Sequence, residues 1–230
     1  MTALITVVSI AASVAVTLAL DVFSEGAAGF TGFAIAVFVP AIVAPIFGGI
    51  TIRLAYQLDR AEVQARQWAV TDDLTGAANR RHFFALAASE FERARRYAYP
   101  FAIVIIDLDD FKRVNDTHGH PAGDAVLRAV SDLCRRQIRA VDTFARYGGE
   151  EFVFLMPGTG ATEAVAFAER LRDLLATTPI PFKGHELRVT ISAGVSGWRS
   201  DDTDLDALIV RADDALYQAK AQGKNQIEER

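Results

Sequence analysis

The hydrophobic and polar positions divide the chain into three parts. Residues 1–20 and 30–52 carry no charge, and the second of these runs is 23 residues long. With about 1.5 Å of rise per residue, either run as a helix approaches or exceeds the roughly 30 Å hydrocarbon core of a bilayer. The pattern therefore predicts a membrane region over 1–52 with two transmembrane helices. Pro40 and Pro45 in the second run predict a kink or a re-entrant segment there. The first run is short and rich in Ala and Thr, which leaves a tilted or interfacial helix as an alternative. A cleaved signal peptide is another, although the basic leader of such peptides is missing. Over 53–70, Leu54, Leu58, Ala61, Ala65 and Trp68 recur at spacings of 4, 3, 4 and 3. That seam predicts a helical, coiled-coil-like stalk, or else an amphipathic helix packed on its own domain.

From residue 71 to 230 the period changes element by element. A helix is predicted over 79–97, with Phe83, Leu86, Phe91 and Ala94 apolar and Arg93, Arg95 and Arg96 outside. Residues 101–107 form an apolar run of strand length. A helix over 123–139 carries Val126, Leu127, Val130, Leu133 and Cys134 on one face. Gly148-Gly149 between the apolar runs 143–147 and 152–156 predicts a tight β-hairpin. Helices over 161–177 and 205–222 flank a β-rich run at 187–198. Such alternation predicts an α/β domain in which helices cover a mostly antiparallel sheet.

All 24 basic residues follow Ile52, and Arg53, Arg60 and Arg66 come directly after the second apolar run. The positive-inside tendency then places the C-terminal part in the cytoplasm, and two spans place the N-terminus there as well. The loop carrying Asp21 and Glu25 is too short for a ligand-binding domain of its own. The net charge of −5 and the lack of a basic patch argue against a nucleic-acid partner. The lone cysteine, Cys134, excludes an internal disulfide and fits a reducing compartment.

The chemistry concentrates at two strand ends. The run 101–106 ends in Asp107 and Asp109, which at i and i+2 share one side of a strand. Glu150 and Glu151 follow the Gly-Gly pair at the hairpin tip. Taken alone, each pair also reads as solvated turn acids. Together they can hold Mg²⁺, a hard cation that takes a few carboxylates plus substrate phosphates, and that points to a nucleotide enzyme.

Five motifs in order then carry a resemblance. They are Thr71-Asp72-Asp73-Leu74-Thr75-Gly76, Asp107-Leu108-Asp109, the block from Phe111 through Asn115 to Asp124, Arg146-Tyr147-Gly148-Gly149-Glu150-Glu151-Phe152, and Lys220 to Asn225. From residue 71 to its end the chain resembles a GGDEF domain in the GGEEF form, the family of diguanylate cyclases. The resemblance implies a palm-like, nucleotidyl-cyclase-like sheet and the condensation of two GTP into cyclic di-GMP and two pyrophosphates. It implies a homodimer in which each domain brings one GTP, so that the stalk controls how the two domains face each other. Asp107, Glu150 and the Leu108 carbonyl are then the ligands of Mg²⁺, or of Mn²⁺ in its place. Asp107, Glu150 and Glu151 form the catalytic acids, Glu151 as a metal-site or base candidate. Asn115 and Asp124 read guanine, and Phe111, Lys112, Lys220 and Lys224 belong to the nucleotide site, the lysines on its phosphates.

The family more often has Asp where Glu150 stands and Arg where Lys224 stands. Lysine keeps the charge but loses the two-pronged geometry. For Asp124 alone a helix N-cap is the alternative, and for the two lysines a solvated helix end. Asp73 and Arg80 are expected to couple the stalk to the domain, and His118 and His120 to belong to a structural loop. Arg139 and Asp142, in an Arg-x-x-Asp motif just before the hairpin, resemble the family's product-inhibition site, with Arg170 as a secondary contact. The whole implies an enzyme in the inner membrane of a bacterium, its catalytic domain in the cytoplasm.

Overall fold

The structure is a computed structural model that describes residues 14–16, 38, 41–42, 45–46, 48–57, 59 and 70–230. The chain divides into two compact units, Met1–Trp68 and Ala69–Arg230. In the first unit the described residues are helical, including all of 48–57. Among the described residues no helix is long and apolar enough to cross a membrane. Most of the two uncharged runs, and every seam residue of the stalk except Leu54, lie outside the described residues.

The second unit is built on the run that ends in Asp107. Strand β2 (Phe101–Leu108) is buried along its whole length because both faces are covered. Its even-numbered residues, such as Val104 and Ile106, join one core with Phe152, Phe154 and Leu171. Its odd-numbered residues Phe101, Ile103 and Ile105 join a second core with Phe83, Phe91 and Leu216. A strand with two dry faces reads as continuous apolar sequence, as this one does.

Around it lie β1 (Ala78–Asn79), α1 (Arg80–Tyr97), α2 (Phe111–His118), α3 (His120–Arg135), β3 (Thr143–Arg146), β4 (Glu151–Pro157), α4 (Ala161–Thr177), β5 (Ile180–Phe182), β6 (His185–Leu187), β7 (Ile191–Gly197), α5 (Leu205–Ala221) and β8 (Ile227–Glu229). The main sheet has the order β1-β3-β4-β2-β7-β8, while β5 and β6 form a separate ribbon. The four central strands pair antiparallel, and the two edge strands pair parallel to their neighbours. This is the mixed α/β palm-like sheet expected of the chain.

Several boundaries differ from the periodicity. Helix α3 begins at His120, three residues early, because Pro121 sits in its first turn, where its missing N–H costs nothing. It stops at Arg135, short of Arg139, and the chain turns through Arg136. Helix α1 buries Phe83, Ala87, Glu90, Phe91 and Ala94, whereas Leu86 lies at the stripe's edge, 37% exposed. Asn79 lies before α1 and caps it, its side chain accepting from His82 N–H.

One close approach sets the position of the final helix. A Cβ on Gly194 of β7 would lie 2.0 Å from the Ala212 carbonyl oxygen and 2.3 Å from the Leu216 nitrogen. Only glycine lets the α5 backbone rest on the sheet at that depth. Arg211 fixes the same helix by donating to Ser196 Oγ, to the Gly197 carbonyl and to Asp202.

Candidate active site

Strand β2 carries Asp107 near its C-terminal end, in the middle of the sheet and 6% exposed. Its antiparallel partner in β4 is Glu151, and the Leu108 N–H donates to the Glu150 carbonyl at 3.3 Å. The three acids expected to act together therefore stand on adjacent backbone. The hairpin loop is shaped for them: a Cβ on Gly148 would lie 2.3 Å from Glu151 Oε2, so the carboxylate folds back over the loop. Arg146 holds the tip by donating from Nη2 to the Gly149 carbonyl at 2.7 Å and from Nη1 to Asp72 at 3.1 Å.

Burial and mutual repulsion disfavour negative charge here. Burial raises the pKa of Asp107, the Lys220 ammonium partly offsets that, and Asp109 adds to the rise. Glu150 and Glu151 are raised first by burial and then by the charge of Asp107. Lys220 Nζ reaches Asp107 Oδ2 at 2.8 Å, and Lys224 Nζ reaches Asp110 Oδ1 at 2.6 Å. Both lysines are thus aimed at carboxylates of the site rather than trailing in solvent.

The acids and lysines border a cleft of about 230 Å³ at the ends of β2 and α5. Asp107, Leu108, Glu150, Phe111, Lys112, Lys220 and Lys224 all line it. Glu151 flanks it through its pairing with Asp107. Among the described residues no three acids, histidines or cysteines are gathered tightly enough to hold a metal alone. The donor set still fits Mg²⁺, which keeps several waters and needs only one or two carboxylates beside substrate phosphates. A divalent cation would also relieve the repulsion that raises the three carboxyls.

Asn115 and Asp124 lie beside this cleft rather than in its lining, on α2 and the first half of α3. Gly123, next to Asp124, lets α3 approach Asn115 closely: a Cβ there would lie 2.1 Å from Asn115 Oδ1. Asp124 sits inside α3 and so is not its N-cap. Its side chain is half exposed, 3.9 Å from Arg128.

Residues 69–226 match the family model described as diguanylate cyclase, GGDEF domain. The chain belongs to the GGDEF family. Over 161 residues it is 44% identical to the response regulator PleD of Caulobacter vibrioides, covering 69% of this chain and 36% of that protein. It is 40% identical over 163 residues to diguanylate cyclase DgcP of Pseudomonas aeruginosa, covering 71% of this chain and 24% of the relative. The chain thus spans well under half the length of these two proteins. Among solved structures, the GGDEF domain of DgcB from Caulobacter crescentus in complex with c-di-GMP superposes with a TM-score of 0.68 at 30% identity. The match covers 70% of this chain and 95% of that one.

In this GGDEF domain the Arg-x-x-Asp motif closes on itself. The Arg139 N–H donates to Asp142 Oδ2 at 2.9 Å, and the Asp142 N–H donates to the Arg139 carbonyl at 3.1 Å. Asp142 Oδ1 is buried without a protein partner, while Arg139 is exposed. Arg170 donates to the Ala166 carbonyl of its own helix at 3.0 Å. His118 and His120 are exposed, His118 lying 6.2 Å from the His185 ring, and among the described residues neither belongs to a group that could hold a metal ion.

The structure separates two pairs of acids that the sequence presents alike. The acid that ties the start of the GGDEF domain to the hairpin is Asp72, which accepts from Thr75 and Arg146; Asp73 is exposed. Asp109 does not stand free beside Asp107 as a second metal carboxylate. It is 6% exposed and accepts from Thr190 Oγ1, Ser192 Oγ and the Asn225 N–H. Neither long-range tie is visible in local spacing, since Arg146 lies 74 residues from Asp72, and Thr190, Ser192 and Asn225 lie 81, 83 and 116 from Asp109.

Proposed function

We propose that the chain is a membrane-bound diguanylate cyclase, acting as a homodimer, that condenses two GTP into cyclic di-GMP with release of two pyrophosphates. The observation that carries this reading is the cleft itself, where Asp107 and Glu150 meet Lys220 and Lys224. Each condensation requires a 3′-hydroxyl to lose its proton, its oxygen to bond the α-phosphorus of the other GTP, and the bond to pyrophosphate to break. Mg²⁺, or Mn²⁺ in its place, held by Asp107, Glu150 and the Leu108 carbonyl, would acidify that hydroxyl and offset the leaving group's charge.

The protein's own groups supply the rest. Lys220 covers the Asp107 charge until a triphosphate arrives, then exchanges Asp107 for phosphate and frees the carboxylate. Lys224 exchanges Asp110 for phosphate in the same way, and Lys112 adds a third positive charge at the cleft's edge. Phe111 floors the entrance, 6% exposed. Glu151, its pKa raised by burial, is a stronger proton acceptor once ionised than an exposed carboxylate and is placed beside Asp107. Asp124 accepts from guanine N1–H and its amino group, with Asn115 donating and accepting beside it. An adenine edge would face Asp124 with an acceptor, at a cost of about 1–3 kcal/mol.

The ring closes only when two domains, each with its own GTP, face each other, so the stalk over 53–70 sets the activity. Residues 1–52 anchor the chain in the inner membrane of a bacterium, with the catalytic domain in the cytoplasm. Arg139 and Asp142 bind the product as an inhibitor, with Arg170 as a secondary contact. Support comes from their exposed guanidinium groups and from the unpartnered Asp142 Oδ1.

The test is incubation of the purified full chain with GTP and Mg²⁺, with products resolved by chromatography. Cyclic di-GMP from the wild type, but none from Glu150→Ala or from ATP alone, is the expected result. No product from a demonstrably dimeric sample would overturn the reading, and binding of labelled cyclic di-GMP would then test a receptor role.

A further inference from the structure

The buried acid Asp109 is absorbed by no step above, and its environment is unusually specific. Its Oδ2 accepts from Thr190 Oγ1 at 2.7 Å and from the Asn225 N–H at 3.0 Å, and its Oδ1 accepts from Ser192 Oγ at 2.7 Å. Its own N–H donates to the Thr190 carbonyl at 2.9 Å. Four bonds thus join the end of β2 to the start of β7 and to the loop after α5. That loop is the one carrying Lys224.

The loop needs such a hold. Lys224 and Asn225 are consecutive non-glycine residues at φ 64° and 49°. Asparagine tolerates this left-handed region, but lysine rarely enters it, and such a pair persists only when the surroundings fix it. The Lys224 N–H and the Gln226 side chain both bond the Ala219 carbonyl, at 3.1 and 2.7 Å, which closes the loop on its own helix. Arg172 donates to the Asn225 carbonyl at 3.3 Å from α4. The bond to Asp109 fastens the loop's backbone to the end of the metal-bearing strand, beside the side-chain ion pair of Lys224 with Asp110.

We infer that Asp109 is a positioning residue for the phosphate grip, latching the Lys224 loop to the end of β2 so that Lys224 and Asp107 keep a fixed separation. The inference rests on the reading of Lys224 as a phosphate contact. It assigns the two acids of Asp107-Leu108-Asp109 different tasks: both border the cleft, but Asp107 is paired with Lys220, whereas Asp109 spends its carboxylate on Thr190, Ser192 and Asn225.

The hydrogen-bond pattern supplies a discriminating variant. Every group around the Asp109 carboxylate is a donor there, but the two hydroxyls can also accept. In Asp109→Asn the amide oxygen can take the Asn225 N–H and the Thr190 hydroxyl, and its NH₂ can donate to Ser192 Oγ. The latch therefore survives in Asn and is lost in Ala. In turnover with Mg²⁺ a metal ligand would behave differently, since loss of the charge impairs it in both.

The experiment uses the full chain without metal and follows amide exchange at Asn225 and affinity for a non-hydrolysable GTP analogue. Asp109→Asn is expected to keep Asn225 protected and the affinity within about twofold. Asp109→Ala is expected to expose Asn225 to exchange and weaken binding about tenfold, as loss of a hydrogen bond to a charged group does. In turnover the loss falls on KM more than on kcat. Added to Lys224→Ala, which removes the group being positioned, Asp109→Ala should cost little more. Should Asp109→Ala not fold, Thr190→Val and Ser192→Ala each remove one bond and are expected to give smaller losses of the same kind.

Unchanged Asn225 exchange in Asp109→Ala, equal impairment of Asn and Ala, or a loss fully additive to Lys224→Ala would overturn the inference. Absence of GTP turnover in the wild type would refute the cyclase reading instead, while amide exchange and analogue binding still decide the latch.

Discussion

Gly194→Ala is the substitution whose consequence is most directly fixed by geometry. The new methyl would lie 2.0 Å from the Ala212 carbonyl oxygen, 2.3 Å from the Leu216 nitrogen and 3.0 Å from the Leu216 Cα. All three atoms are helix backbone, so no rotamer change relieves the overlap. Ordinary contact begins near 3.4 Å, and α5 must therefore move off β7 by more than about 1 Å. Overpacking of a well-filled interior costs roughly 1–3 kcal/mol, and a clash against backbone alone belongs at about 3 kcal/mol or above. For a domain of this size that is about 6–12 °C in Tm. The displacement also reaches chemistry, because Lys220 lies on the same helix and contacts Asp107. Thermal unfolding of the full chain, followed by the KM for GTP, checks both consequences. A Gly194→Ala variant with wild-type Tm would refute the claim that α5 rests on the sheet at this glycine.

Gly123→Ala should behave differently, because its methyl meets the far end of a side chain, Asn115 Oδ1, rather than backbone. Its stability should fall by about 1 kcal/mol or less, while the KM for GTP rises as the Asn115 amide is displaced, which steady-state kinetics would resolve. Arg146→Ala removes the donor shared by Asp72 and the Gly149 carbonyl and should cost about 1–3 kcal/mol in urea unfolding, with Arg146→Lys recovering only part. For pH, the raised carboxyls Asp107, Glu150 and Glu151 ionise later in the folded than in the unfolded chain. Their contribution therefore erodes metal-free stability as pH climbs from about the ordinary 3.8–4.5 range through their folded values. Asp72 and Asp202, held low by hydrogen bonds and arginine, act with the opposite sign and lose stability as pH falls below the ordinary value. Metal-free Glu150→Gln should accordingly melt above wild type at neutral pH, and an unchanged or lower midpoint would contradict the repulsion argument.

The parts of this fold that local chemistry dictates were legible in the sequence. An eight-residue apolar strand covered on both faces has no polar alternation to hide it, and it delivers its terminal acid wherever the sheet ends. The Gly-Gly hairpin and the helix over Ala161–Thr177 are equally local events, whereas Asn79, whose spacing suits a first helical residue, is instead the cap. The short edge strands β1 and β8 were not legible, because two or three residues carry no period and exist only through pairing with β3 and β7. In the site, Asp107 and Asp109 look equivalent in sequence, two acids at i and i+2. Their difference is made by Lys220 on one hand and by Thr190, Ser192 and Asn225 on the other, all beyond the reach of spacing arguments. Asp72 and Asp73 are likewise adjacent acids that only the long-range partner Arg146 tells apart.

Under the proposed function, Asp107 and Glu150 hold a divalent cation against a nucleotide bound by Lys220 and Lys224. Titration of Mn²⁺ into the full chain with a non-hydrolysable GTP analogue, followed by electron paramagnetic resonance, addresses it directly. A tightly bound ion that requires the analogue, disappears in Asp107→Asn and Glu150→Gln, and persists in Glu163→Gln on helix α4 is the expected result. Mn²⁺ bound equally well by all four proteins would contradict it.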